Sequence, residues 1–302
     1  MNYPKQVSII EVGPRDGLQN ESSFVSTKHK IDLIDHLSDS GLKFIEVTSF
    51  VSAKSIPQLA DGDDVFRRIK KPTGVQFSAL VPNEHGMEKA MAVNVRDIAI
   101  FTAASEQFNQ RNINCSIAES IARFKPVMLM AKANNIRVRG YISCVLGCPY
   151  EGDIDPAKVL NVTQQLLELG VDEISLGDTI GVGTPKQTQT LINTIKQALP
   201  LTNLAMHFHD TYGQAIANIY AALACGITRF DSSVAGLGGC PYARGASGNV
   251  ATEDVLYLMH GLGIETGVDI YKIVDAGDQI CKILGRRNQS KVANALLANA
   301  CP

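Results

Sequence analysis

No apolar run in the sequence approaches the roughly 18 residues that cross a bilayer as a helix, so a helical membrane span is excluded. Charge of one sign is also missing: 28 Lys and Arg stand against 30 Asp and Glu, a formal net charge of −2. Nucleic-acid binding would need a concentrated basic surface, and no such partner is expected. With 25 glycines and 12 prolines among 302 residues, the chain is neither collagen nor a Pro/Gly-rich disordered segment. An extracellular disulfide framework is not indicated either. Seven cysteines, an odd number spread through a large chain, read as free thiols in a reducing compartment. Met1–Gln6 is too short and polar for a signal or transit peptide before an apolar strand opens at Val7. The expected location is therefore cytoplasmic, with no membrane partner. No G-x-G-x-x-G follows that first strand, and no G-x-x-x-x-G-K occurs, so the common dinucleotide and phosphate cradles are absent.

What is present is a regular alternation. Short β-rich runs cover Val7–Val12, Phe44–Phe50, Gln76–Val81, Asp97–Thr102, Arg137–Val145, Glu173–Asp178, Leu204–Asp210 and Arg229–Ala235. Helical spacing marks Thr27–Ser40, Ser116–Asn135, Pro156–Leu169, Pro185–Leu199 and Gly213–Cys225. Asp155-Pro156 and Thr184-Pro185 each place a capping side chain before a proline suited to the first helical turn. Glycine stops recur at Gly41, Gly170 and Gly226. Eight strand–helix units in about 250 residues predict a closed parallel (β/α)8 barrel, a TIM barrel. The expected organisation is one catalytic domain over 1–302, with the barrel over about 5–267. Asp269–Leu284 and Ser290–Ala300 are then added C-terminal helices over about 268–302.

In such a barrel the strands' C-terminal ends carry the chemistry, and polar residues gather there. The first strand opens into Gly13-Pro14-Arg15-Asp16-Gly17, the second carries Glu46 between Ile45 and Val47, and the sixth ends at Asp178. His207 and His209, two apart on the seventh, point to one face with Ala205, toward the barrel axis. Converging imidazoles make half of a metal site or an acid/base pair; the plainer alternative leaves one of them structural. Asp16 either offers an oxygen ligand or forms a turn ion pair with Arg15. Glu46 in an apolar strand reads as a buried partner that orients the arginine. Arg139, two before Tyr141, faces the interior or serves as an ion-pair partner. The segment from Gly236 to Asn249 has five glycines in fourteen residues, which suits a loop over a site. In it Cys240 is a candidate reactive thiol or simply a free cysteine. Cys144 and Cys148 lack a second pair for zinc.

Taken together, these stretches resemble the 3-hydroxy-3-methylglutaryl-coenzyme A lyases. The matching pieces are EVGPRDGLQNE from Glu11 to Glu21, Glu46 with Thr48–Val51, and GYISCVLGCPYEG from Gly140 to Gly152. SLGDTIGVG from Ser175 to Gly183, HFHDTYG from His207 to Gly213 and the Val234–Asn249 loop complete them. The Cys240 loop is specific to those lyases, whereas Arg15-Asp16 and His207-x-His209 alone indicate only the wider metal-dependent superfamily of barrel lyases, aldolases and Claisen-type synthases. The resemblance implies that Asp16, His207, His209 and Asn249 bind Mg²⁺ or Mn²⁺. It also implies that Arg15 lies against the thioester oxygen, that Glu46 and Asp178 hold arginine and histidine in place, with Arg139 as further support, and that Cys240 takes part in proton transfer. His207 and Glu46 join Arg15, Asp16 and Cys240 as expected catalytic residues. The implied reaction is retro-Claisen cleavage of 3-hydroxy-3-methylglutaryl-CoA to acetoacetate and acetyl-CoA, as in leucine catabolism and ketone-body formation, by a homodimer. Coenzyme A is part of the substrate, and no Lys/Arg motif identifies residues for its nucleotide. The alternatives are a related lyase acting on another 3-hydroxyacyl-CoA, a Claisen-type acyltransferase or aldolase, and a non-catalytic scaffold.

Overall fold

Runs of β-branched and apolar residues form eight short strands: β1 (Ser8–Glu11), β2 (Phe44–Ser49), β3 (Gln76–Leu80), β4 (Asp97–Ala103), β5 (Arg137–Ser143), β6 (Glu173–Asp178), β7 (Leu204–Phe208) and β8 (Arg229–Ser232). All pair in parallel in chain order, and β8 returns to β1 to close the barrel, with Ser8 opposite Arg229 and Glu11 opposite Ser232. The structure is a computed structural model and describes residues 3–239 and 248–300. The expected TIM barrel is therefore observed.

Around it lie α1 (Thr27–Asp39), α2 (Gly62–Arg68), α3 (Glu84–Ala92), α4 (Glu106–Ile113), α5 (Ile117–Ala133), α6 (Pro156–Glu168), α7 (Pro185–Lys196), α8 (Ala215–Cys225) and α9 (Thr252–Gly261). The capping signals act as expected. Asp155 accepts the Ala157 N–H, Thr184 forms a capping box with Gln187, and Gly226 ends α8 at φ +101°. Helices α2, α3, α4 and α9 were not singled out by period; each has only seven to ten residues, too short for a clear apolar stripe. Two C-terminal helices follow, α10 (Ile270–Leu284) and α11 (Lys291–Ala300). The first is joined to α1 by the Asp269 N–H on the Ser40 carbonyl and by Lys272 Nζ on the Asp39 carbonyl. Among the described residues no helix is long and apolar enough to cross a membrane.

The main apolar core is the layer between strands and helices, to which Leu204, Met206 and Phe208 contribute from β7. Barrel interiors are ordinarily filled by branched apolar side chains. Here a large part of the interior is ionic. Glu173 carries three guanidiniums, with Arg137 Nη2 at 2.7 Å, Arg139 Nε at 2.9 Å and Arg229 Nε at 2.9 Å. Arg139 also reaches Asp231 on β8 at 2.6 Å. Above this layer, Leu80, Ala99 and Tyr141 make a small apolar patch with Val51 and Phe101. Three strands end two or three residues earlier than the apolar pattern indicated, β5 at Ser143 among them. β7 stops at Phe208 and β8 at Ser232, so His209 and Ser233–Ala235 belong to the connections at the barrel mouth.

Candidate active site

After β1 the backbone makes one wide helical turn over Gly13–Gly17, in which both Asp16 N–H (2.8 Å) and Gly17 N–H (3.2 Å) point at the Val12 carbonyl. Through this turn Arg15 leans back over the barrel while Asp16 faces its mouth. Arg15 is buried, and its Nε and Nη2 each lie 2.8 Å from Glu46 Oε2. Its Nη1 donates to Asp16 Oδ1 at 2.6 Å. The Tyr141 ring lies beneath the guanidinium, 5.3 Å away, and the Tyr141 hydroxyl donates to the same Glu46 oxygen at 3.0 Å. Burial alone would weaken the charge on Arg15, but Glu46 and then Asp16 reverse this and raise its pKa. The guanidinium is thus fixed and permanently charged.

His207, on β7, and His209, just past it, turn toward the same side, their rings 5.2 Å apart. His207 Nδ1 lies 3.1 Å from Asp231 Oδ2. With a carboxylate as its partner, Nδ1 is the donor, and Nε2 is the ring nitrogen left to meet a ligand. His209 Nδ1 is buried without a hydrogen-bond partner. Burial, then the charge of His207, push the His209 pKa down to about 4, so this imidazole is neutral at neutral pH. Burial would raise the Asp16 carboxyl, but Arg15 and then the two imidazoles hold it well below the usual carboxylate range. One ligand atom each from Asp16, His207 and His209 lie within 4.8 Å of one another. An ionised carboxylate beside two imidazoles, one of them neutral with an unpartnered ring nitrogen, fits a divalent cation.

The other expected residues fall as follows. Asn249 is buried beside this cluster and pairs with His209 in an isolated bridge. Its Nδ2 donates to Asp16 Oδ2 at 2.8 Å and to the Leu237 carbonyl at 3.2 Å, so its nitrogen rather than its oxygen meets the carboxylate. Asp178 lies near enough to His207 for the imidazole's charge to act on it, but its hydrogen bonds go to backbone N–H groups. Its carboxylate accepts the N–H groups of Gly183 (2.9 Å) and Val182 (3.2 Å), and burial pushes its pKa up to about 6. The carboxylate that orients a site imidazole is Asp231. Arg139 is in the interior and is also an ion-pair partner, and its Nη1 reaches the Tyr141 hydroxyl at 3.2 Å. Cys240 lies outside the described residues.

Asp231, Tyr141 and Ser175, whose hydroxyl donates to Asp231 Oδ2 at 2.8 Å, were not singled out from the sequence. The signal for Asp231 was the one used for Glu46, a carboxylate inside an apolar strand, in Phe230-Asp231-Ser232. Above the cluster opens a cleft of about 840 Å³. Arg15, Asp16, His207 and His209 line one part of it, and Val51, Leu80, Phe101 and Phe124 line an apolar part.

A closed parallel barrel with a carboxylate, two imidazoles and a fixed guanidinium at its C-terminal mouth defines a barrel enzyme equipped to hold a divalent cation and a polar substrate. Comparison with known proteins narrows the class. The HMGL-like family model matches residues 6–280, and the chain belongs to that family. It is 58% identical over 300 residues to the 3-hydroxy-3-isohexenylglutaryl-CoA/hydroxy-methylglutaryl-CoA lyase of Pseudomonas aeruginosa, covering 99% of this chain and all of that one. It is 57% identical to the mitochondrial hydroxymethylglutaryl-CoA lyase of Bos taurus, over 97% of this chain and 90% of that one. A crystal structure of the hydroxymethylglutaryl-CoA lyase from Pseudomonas aeruginosa superposes with a TM-score of 0.98 at 58% identity, over 99% of this chain and all of that one.

Proposed function

We propose that the chain is a divalent-metal-dependent lyase that cleaves 3-hydroxy-3-methylglutaryl-CoA to acetoacetate and acetyl-CoA. The observation that carries this reading is the convergence of Asp16, His207 and His209 beside a guanidinium that two carboxylates hold fixed. Asp16, His207 and His209 would hold Mg²⁺ or Mn²⁺, with Asn249 joining them once its amide oxygen turns inward. When bound, the cation polarises the substrate's tertiary hydroxyl and lowers its pKa.

The chain's own groups account for the rest. The hydroxyl proton passes to one of the acceptors at hand, Asp16 or an imidazole. The C2–C3 bond then breaks, and its electron pair leaves on C2 as the enolate of acetyl-CoA. Negative charge develops on the thioester oxygen, and Arg15, already rigid, stabilises what forms there. Glu46 and Tyr141 keep the guanidinium from moving as that charge appears. Cys240 returns a proton to C2; a Cys240→Ser enzyme with undiminished turnover would exclude this. We include in this reading one catalytic domain, a homodimer and a cytoplasmic location. Cys115, Cys148, Cys225 and Cys281 are free thiols, in keeping with a reducing compartment.

The direct experiment incubates the purified protein with 3-hydroxy-3-methylglutaryl-CoA, with and without EDTA, and measures acetoacetate. Production that EDTA abolishes and Mg²⁺ or Mn²⁺ restores is expected; no acetoacetate with metal present would overturn the proposal. A second substrate is favoured by the apolar wall of Val51, Leu80, Phe101 and Phe124 and by the double name of the Pseudomonas relative. An analogue with a longer 3-alkyl chain should be cleaved too, and Phe101→Ala should change the ratio of kcat/KM between the two.

A further inference from the structure

Besides β7 and its end, two chain segments bring residues to the cation cluster: the turn Gly13–Gly17, and the connection that leaves β8 at Ser233 and returns through Asn249. The stem of the second packs against α10, and what joins the two is a buried carboxylate absent from the reaction scheme. Glu11, the last residue of β1, is 0% exposed. Its Oε1 accepts the Gly13 N–H at 2.8 Å and the Val234 N–H at 2.9 Å. Its Oε2 accepts the Thr252 hydroxyl at 2.7 Å. One side chain therefore touches the start of the Arg15–Asp16 turn, the stem of the long connection, and the residue three beyond Asn249.

The surroundings are shaped for the same junction. A Cβ on Gly13 would lie 2.6 Å from Glu11 Oε1, and one on Gly17 would lie 2.8 Å from both Ser233 Oγ and Leu237 Cβ. Only glycine at these positions lets turn and stem lie this close. The next stem residue, Ala235, is held at φ +57°, a conformation disfavoured for a residue with a Cβ. Both oxygens of a second buried carboxylate, Glu253, lie 3.0 Å from its N–H. Strain at that point persists only if neighbouring contacts over-determine it, and these two carboxylates supply such contacts.

We propose that Glu11 is a positioning residue: it clasps the Arg15–Asp16 turn to the stem of the Asn249 segment and thereby sets the spacing of the cation-binding side chains. The proposal rests on the cation site described above. The clasp works through hydrogen bonds accepted, so an amide can replace the carboxylate. In Glu11→Gln the Oε1 position still accepts from Gly13 and Val234. The new NH₂ donates to the Thr252 hydroxyl, which can in turn donate to Ser232 Oγ at 2.8 Å.

The test compares wild type, Glu11→Gln and Glu11→Ala in Mn²⁺ titrations and in backbone hydrogen exchange at Gly13 and Val234. Glu11→Ala should weaken Mn²⁺ binding about 10-fold or more, the size of effect seen when a ligand's supporting group is lost. It should also speed exchange at both amides while strands away from the junction keep their protection. Glu11→Gln should bind Mn²⁺ within about 3-fold of wild type and keep both amides protected. Equal damage from the two variants, or an alanine variant unchanged in both readouts, would overturn the clasp. Should Glu11→Ala fail to fold, Thr252→Val serves instead, and unchanged exchange at both amides in that variant counts against the proposal. Wild type that fails to bind Mn²⁺ would refute the cation site itself, while the exchange pattern still decides the clasp.

Discussion

Replacing Asp231 by asparagine should weaken metal binding at a site that Asp231 does not itself touch. The side chain is wholly buried on β8 and accepts from three donors, Arg139 Nη2 at 2.6 Å, Ser175 Oγ at 2.8 Å and His207 Nδ1 at 3.1 Å. Asparagine has one accepting oxygen, so its NH₂ must face at least one of these donors. Losing a charge-assisted bond costs about 1.5–3 kcal/mol, and breaking a buried ion pair about 3–5 kcal/mol. Arg139 keeps Glu173 at 2.9 Å, which places the loss near about 2–3 kcal/mol. For 302 residues, at about 2.1 cal/mol/K of unfolding entropy per residue, that corresponds to a fall in Tm of roughly 3–5 °C. His207 also loses the partner that fixes its tautomer, so Mn²⁺ affinity should fall about 10- to 100-fold. Ser175→Ala removes one donor and leaves Arg139 and His207 on the same carboxylate; it costs about 1.5–3 kcal/mol and should leave affinity nearly unchanged. Thermal unfolding and calorimetric Mn²⁺ titration of the three proteins read both effects. An Asp231→Asn protein that binds Mn²⁺ as tightly as wild type would refute the reasoning.

Arg15→Gln should lower kcat about 100- to 1000-fold, the usual cost of removing a donor aimed at a developing oxyanion, with a smaller effect on KM; a loss under about 10-fold, or about 1.4 kcal/mol, would count against that role. Buried carboxylates give a further, pH-dependent prediction. Burial raises Glu11 to about 7 and Glu253 to about 8, against 4.5 when free. In that window the folded state keeps protons that the unfolded chain has released, so this contribution to stability is full below the free value and is lost as pH rises through 7 and 8. Glu253→Gln cannot titrate there, and its Tm should gain on wild type between about pH 6 and about pH 9. A Tm difference that stays constant with pH would show that Glu253 is not held protonated.

Much of this molecule was legible in the sequence because its periods and caps are local. Strand and helix signals, and the stops at Gly41, Gly170 and Gly226, each act within a few residues, so the barrel follows from counting them. Arg15, Asp16, Glu46, His207 and His209 were legible for a related reason: in a parallel barrel, strand ends meet whatever their separation in the chain. The exceptions depend on contacts between distant segments. Asp178 sits at a strand end like the others, yet the loop that follows it folds back and offers its own N–H groups at Gly183 and Val182. Asp231 takes the role beside the imidazole because β8 neighbours β7, with Asp231 opposite His207. The ionic interior was not legible either. Arg137 and Arg139 meet Glu173 across neighbouring strands, with Arg139 opposite Glu173, whereas Arg229 comes from β8 and joins them only once the barrel forms.

The central claim is that Asp16, His207 and His209 grip one divalent cation at the barrel mouth. Crystals soaked in Mn²⁺ and measured at the manganese absorption edge test it most directly. A single strong anomalous peak bridging these three side chains is predicted, and it should vanish in His209→Ala. Wild-type crystals with no peak there, or with a peak elsewhere on the molecule, would contradict it.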